Sequence, residues 1–182
     1  LIATSLEVER MTHLIKELLL LTRIENDEKL QNVTVIDSND LMHKVLSLYK
    51  NAALAKQITF SSDLTNFRFP GNQDLLVIAL GNLLDNAIKF SSYNSSVDLA
   101  VRKIGNKIEF TFINSGVTIP TEKLTHLFER FYQTEINHSI HGYGLGLAIT
   151  RQIIKLHHGN VDITSNNSIT TVKTSFPLNH VN

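Results

Sequence analysis

Cysteine is absent from all 182 residues. That removes disulfides, thiol catalysis and thiolate metal sites, and it suits a reducing compartment. Neither sign of charge is in excess: Lys+Arg and Asp+Glu each count 17. Without a basic field, neither nucleic acid nor a membrane surface is an expected partner. No apolar run approaches the length of a membrane span. The chain opens on Leu1 rather than Met and carries no signal-peptide pattern, so it reads as a fragment. What remains is an ordinary globular balance, 42% hydrophobic and 19% charged. It is sized for one medium domain plus an appendage.

Met11, Leu14, Ile15, Leu18 and Leu21 recur at three- and four-residue steps, predicting a helix over Leu1 to about Glu25, roughly 37 Å long. Such a stripe packs either on its own domain or in a helical hairpin or dimer bundle; its place before a polar break favours the second. The break, NDEKLQN (26–32), is the expected domain boundary, with an appendage at 1–30 and a catalytic-size domain at 31–182. A strand is expected at 33–36, then a helix capped by Asp37 or Ser38. Gln57 opens a second strand, and Pro70 and Gly71 punctuate a third. LLVIALGNLLDNAIKF (75–90) is a strongly apolar helix. Two alternating strands follow around a Gly105–Asn106 turn. A short helical region is expected from Pro120 to about Tyr132, a polar loop from Gln133 to Tyr143, and a helix over 145–158. A hairpin closes the chain. The pattern is α+β: a two-layer sandwich, with a mixed sheet and helices on one face, preceded by a long helix.

Three of the eight glycines, Gly142, Gly144 and Gly146, crowd the start of that last helix. Glycine disfavours helix interiors but lets a backbone turn and approach a ligand closely. A helix N-terminus exposes unpaired N–H groups, so the combination suits phosphate; close helix–sheet packing is the alternative use. In NLLDNAIKF, Asn82, Asn86 and Lys89 share one helical face, while Leu83, Leu84, Ala87 and Ile88 face away. Amide oxygens suit Mg²⁺ and an ammonium suits phosphate, against the alternative of a solvated face. INSGVTIP (113–120) puts Gly116 in a tight turn at a strand end. In LFERFYQ (127–133), Phe128, Phe131 and Tyr132 anchor the segment and leave Arg130 to reach an anion or simply to lie on the aromatics.

In this order the four segments resemble the N, G1, F and G2 boxes of the nucleotide-binding domain of sensor histidine kinases. The resemblance covers about Val33 to the C-terminus. VERMTHLIKELLLLTRIE resembles the second helix of that family's dimerisation and phosphoacceptor hairpin. The resemblance implies ATP and Mg²⁺ as cofactors. Asn86 would hold Mg²⁺, with Asn82 on the phosphate side. Lys89 and Arg130 would meet phosphate, and Phe90 would pack near adenine. Gln133 to Tyr143 would be an ATP lid, hinged on the three glycines. The implied nucleotide-facing set also takes in Asn114, Gly116, Thr118, Ile119, Phe131, Tyr132, Tyr143, Leu145 and Leu147. It further implies a homodimer through the N-terminal hairpin helices and a response regulator receiver domain as partner. It places the chain as a cytoplasmic fragment of a sensor in the inner or plasma membrane, tied there only by segments outside this sequence.

Gyrase-type and chaperone-type ATPases resemble the domain but usually carry glutamate where this chain has Asn82. An amide cannot serve as base for water, which favours phosphoryl transfer to a protein group over hydrolysis. The G1 box departs from Asp-x-Gly-x-Gly, reading Asn114, Ser115, Gly116, Val117, Thr118. Hydrogen bonds to charged groups contribute about 1.5–3 kcal/mol and neutral ones about 0.5–1.5. Asn114 alone is therefore expected to cost on the order of tenfold in ATP affinity. Thr118 is expected to crowd the base pocket. The phosphoacceptor segment of the family is not in the sequence, and His13 reads as a surface imidazole. His157 and His158 stand at a helix C-terminus, which suits a cation. The alternative function is an ATP-deficient dimer scaffold or response-regulator phosphatase; a serine kinase of the anti-sigma type is a third reading, disfavoured by the long leading helix.

Overall fold

The computed structural model describes residues 2–27, 29–133 and 143–179, without the side chains of residues 2–6 and 10. Helix α1 (Ile2–Asn26) leads into β1 (Thr34–Asp37), α2 (Ser38–Ala55), β2 (Thr59–Leu64), β3 (Arg68–Gly71) and α3 (Gln73–Phe90). Then come the hairpin β4 (Ser96–Ile104) and β5 (Lys107–Ser115), the short α4 (Thr121–Leu124), α5 (Gly146–Leu156), and the hairpin β6 (Asn160–Asn166) and β7 (Ile169–Pro177).

Five strands form one mixed sheet in the order β2-β4-β5-β7-β6. Only β2 and β4 run parallel; the other neighbours are antiparallel. β1 and β3 pair separately, in a two-stranded sheet. Period-two alternation sends Val97, Leu99 and Val101 of β4 inward with Ile108, Phe110 and Phe112 of β5. These pack under α2 and α3, whose Leu41, Met42, Val45, Leu76, Leu80, Leu83 and Leu84 are buried in the same cluster. Phe69, Phe110 and Phe176 meet with centroids 5.9 Å apart. Burying these side chains contributes roughly 1.5–3 kcal/mol each.

Local chemistry sets the helix starts. Asp37 is the N-cap of α2: its carboxylate accepts from Asn39 N–H at 3.0 Å and Asp40 N–H at 3.3 Å. The Asn66 amide, first, and these backbone N–H groups hold the Asp37 carboxyl below its usual range. Asn72 caps α3 by accepting from Leu75 N–H at 3.0 Å.

Two expectations shift. The helix expected from Pro120 to Tyr132 stops at Leu124; bonds from His126 N to Lys123 O and from Glu129 N to His126 O replace it with turns. The long α1, expected to favour a hairpin or bundle, packs one side on its own domain. Leu21 and Ile24 are buried against Leu145, Ile149 and Ile153. A second stripe, Val8, Met11, Ile15 and Leu19, lies 53–66% exposed.

His157 is not the cation suited to a helix end. It is buried, its Nδ1 is 2.7 Å from Ile153 O, and Asn72 N–H donates to its Nε2 at 3.0 Å. Burial lowers its pKa, so a neutral ring joins the end of α5 to the start of α3.

Candidate nucleotide site

On α3, Leu83, Leu84, Ala87 and Ile88 are buried, and the stripe Asn82, Asn86 and Lys89 is half-buried. Asn82 Nδ2 donates to Gly146 O at 2.9 Å, and Thr150 Oγ1 donates to the same oxygen at 2.8 Å. The amide stripe of α3 is thereby fixed to the first residue of α5. The first-turn N–H groups of α5 beside it have no carbonyl of their own helix to meet. Lys89 Nζ sits 2.6 Å from Asp85 Oδ2, one turn back. Lys89 also acts on Glu17 of α1, whose carboxyl is raised by burial and pulled back by His13 and Lys89.

The strand-end turn is built by contacts distant in sequence. Asn114 is buried as the last inward residue of β5, between Val97 and Thr170. Gly116 bridges to Ser91, and its N–H donates to Ser168 O at 2.8 Å. A Cβ on Gly116 would lie 1.9 Å from Phe90 O, so only glycine lets the turn close on the end of α3. Thr118 is exposed, and its hydroxyl accepts from Ser168 N–H at 2.8 Å. Ile119 N–H donates to Ser165 Oγ at 2.9 Å. Asn167 and Ser168 both have positive φ, 50° and 62°, as the tight β6–β7 turn requires. Thr118 thus has a structural duty toward that hairpin.

In the F-box segment, Leu127 is the buried anchor. Phe131 is not: it is 58% exposed, with φ of 61°. Tyr132 is half-buried with its ring 5.7 Å from that of His126. Arg130 pairs with Glu25 of α1. Phe131 N–H donates to Gly144 O at 3.0 Å, clasping the described chain on either side of residues 134–142. Gly144 has φ of +70°, and a Cβ there would meet Tyr132 O at 2.7 Å and Phe131 C at 2.8 Å. Leu145 is buried in the α1–α3–α5 cluster, Tyr143 packs against it, and Leu147 turns to the main core. Gly142, His138, His141 and most of the expected lid lie outside the described residues.

The structure therefore joins the N and G2 segments directly and sets the G1 turn against the end of α3. It directs Arg130 to α1. The sequence reading missed Ser165 and Ser168, which brace the G1 turn, and Glu17 and Glu25, which bring α1 carboxylates to Lys89 and Arg130. Only the turn residues of Ser168 left a sequence signal; the carboxylates left none.

A family model described as histidine kinase-, DNA gyrase B-, and HSP90-like ATPase matches residues 71–180. The heme sensor protein HssS of Staphylococcus aureus strain Newman is 39% identical over 171 residues, covering 93% of this chain. The chain spans 37% of the length of that relative. The histidine kinase AdeS of Acinetobacter baumannii superposes with a TM-score of 0.81 at 23% identity, covering 95% of this chain and 81% of that one. The catalytic domain of the histidine kinase ThkA gives a TM-score of 0.74 at 25% identity, over 82% of this chain and 97% of that one. The chain belongs to the histidine kinase-, DNA gyrase B- and HSP90-like ATPase family.

Proposed function

We propose that this chain is the kinase core of a two-component sensor. It binds Mg·ATP and directs the γ-phosphoryl group to a histidine on a segment outside the sequence; a response regulator's receiver domain then takes it. The observation that carries this reading is the Asn82–Gly146 bond, which links the amide-and-ammonium stripe of α3 to the N-terminus of α5. ATP supplies the phosphoryl group, and Mg²⁺ neutralises charge on it. Asn86 offers a half-buried amide oxygen suited to a hard cation. Among the described residues no group of three or more His, Cys, Asp or Glu could hold a metal.

Lys89 must exchange Asp85 for phosphate, and Arg130 must leave Glu25 to serve there. Asn82 spends its amide N–H on Gly146 and holds no basic group, which supports transfer to a protein side chain over hydrolysis. Asn114 in the G1 turn weakens ATP binding without abolishing it, while Thr118 braces the hairpin. Residues 1–30 form the hairpin-helix part and 31–182 the nucleotide-binding part. The exposed stripe Val8, Met11, Ile15 and Leu19 supports a homodimer of hairpin helices. No described helix is long and apolar enough to cross a membrane. The reading places this piece on the cytoplasmic side, with any membrane tie elsewhere in the protein.

The test is radiolabel transfer from γ-labelled ATP to the full-length protein, followed by acid and base treatment. Acid-labile, base-stable label that disappears in Asn86→Ala supports the reading. Label on Ser or Thr, or release of phosphate with no labelled protein, contradicts it.

A further inference from the structure

At the end of α3 the last carbonyls need partners, and one side chain distant in sequence supplies two of them. Lys56 follows α2, far from α3 in sequence. Its Nζ donates to Ile88 O at 3.1 Å, Lys89 O at 2.6 Å and Ser91 O at 2.6 Å. A lysine ammonium has three donors, and all three are used. The carbonyl it passes over is Phe90 O, the one that faces Gly116. The Tyr93 ring lies over the ammonium, 5.5 Å from centroid to Nζ. Burial lowers the Lys56 pKa, so a cation is held here against a desolvation cost. The backbone it grips carries Lys89 and Phe90 and forms the wall on which the G1 turn closes.

We propose that Lys56 is a positioning residue for nucleotide binding: its ammonium fixes the last turn of α3, and with it the placement of Lys89, Phe90 and Gly116. Lys56 itself touches no nucleotide. The proposal rests on the reading of this site as an ATP site, and it adds a residue outside all four boxes. A cation is required because three carbonyl dipoles converge on one point. Methionine matches the length of the stem and leaves those carbonyls without a donor.

The experiment compares the wild-type chain with Lys56→Met and Lys56→Arg by two readouts. The first is amide hydrogen exchange without ligand; the second is affinity for Mg²⁺ with a non-hydrolysable ATP analogue. In Lys56→Met, exchange is expected to quicken about tenfold at the amides of 89–92 and 116 while the central strands β4 and β5 hold. Analogue affinity is expected to fall about tenfold, since small misplacements of binding groups are costly. Lys56→Arg is expected to restore most of both. Unchanged local exchange and affinity within twofold in folded Lys56→Met overturn the proposal. So does a rise in exchange spread evenly over the sheet, which marks a merely structural role. If Lys56→Met does not fold, Lys56→Gln is read by the same criteria. A wild type that binds no analogue overturns the ATP-site reading; local exchange in the variants then judges the hold of Lys56 on α3 separately.

Discussion

Gly116 and Gly144 both bring backbone close to backbone beside the candidate site, by different means. Gly116 does not have a left-handed φ; the demand there is space, because Phe90 O occupies the position of a Cβ. Its turn is braced by the Ser168 carbonyl and N–H, by Ser165 Oγ, and by Ser92 N–H on Ser115 O at 2.9 Å. Gly144 needs both a left-handed backbone and space, and the clasp beside it is one bond from Phe131. The first turn is a wall assembled from α3, β5 and the β6–β7 hairpin. The second is a local joint at the foot of the segment 134–142. Damage to the wall should therefore reach the fold, and damage to the joint should reach nucleotide handling first.

The strongest way to break this contrast is Gly116→Ala. The new methyl meets the Phe90 main chain, which cannot give way as a side chain can, so α3 and the turn must part. A loss of about 3 kcal/mol or more is expected in urea unfolding; a loss under about 1 kcal/mol would remove the wall from the account. Gly144→Ala should cost about 1–3 kcal/mol for the left-handed backbone. Its effect on nucleotide affinity should exceed that of an equally destabilising core change.

Asn114 and Thr118 sharpen the comparison within the wall. Asn114→Asp should tighten ATP up to about tenfold by charging the acceptor. Thr118→Gly should not add to that gain, because it frees the Ser168 N–H and loosens the hairpin by about 0.5–1.5 kcal/mol. Titrating the two single variants and the double variant separates these effects; a larger gain from Thr118→Gly would show that crowding, not bracing, is the role of Thr118.

The smallest effect at neutral pH lies at the far end of α5. The folded pKa of His157 is lowered below 6.5. The unfolded state therefore binds the proton first as pH falls, and its contribution to stability is present above about 6.5 and declines below it, down to the folded pKa. His157→Gln should flatten that acid slope in a series of unfolding midpoints from pH 7.5 to 5.

The stripe on α3 was legible because three- and four-residue spacing decides which side of a helix is buried. The β4–β5 and β6–β7 hairpins followed from alternation and turn residues, whereas the strand order rests on pairings distant in sequence. The segment after α4 was expected to stay helical, but i→i+3 turns follow Leu124 and Phe131 has a positive φ. The Asn82–Gly146 link, the Ser168 brace and the Glu25–Arg130 pair join residues distant in sequence, and no local pattern announces such pairs. Lys56 was invisible for the same reason: its partners are main-chain carbonyls, which carry no sequence signature.

The central claim is a Mg²⁺-dependent ATP site on the α3 stripe. Calorimetric titration of the chain with ATP, with and without Mg²⁺ and beside Asn86→Ala, tests it most directly. The account predicts saturable binding that requires Mg²⁺ and is lost in the variant. Folded wild-type protein that takes up no ATP to millimolar concentration, or binding indifferent to Mg²⁺ and to Asn86, would contradict it.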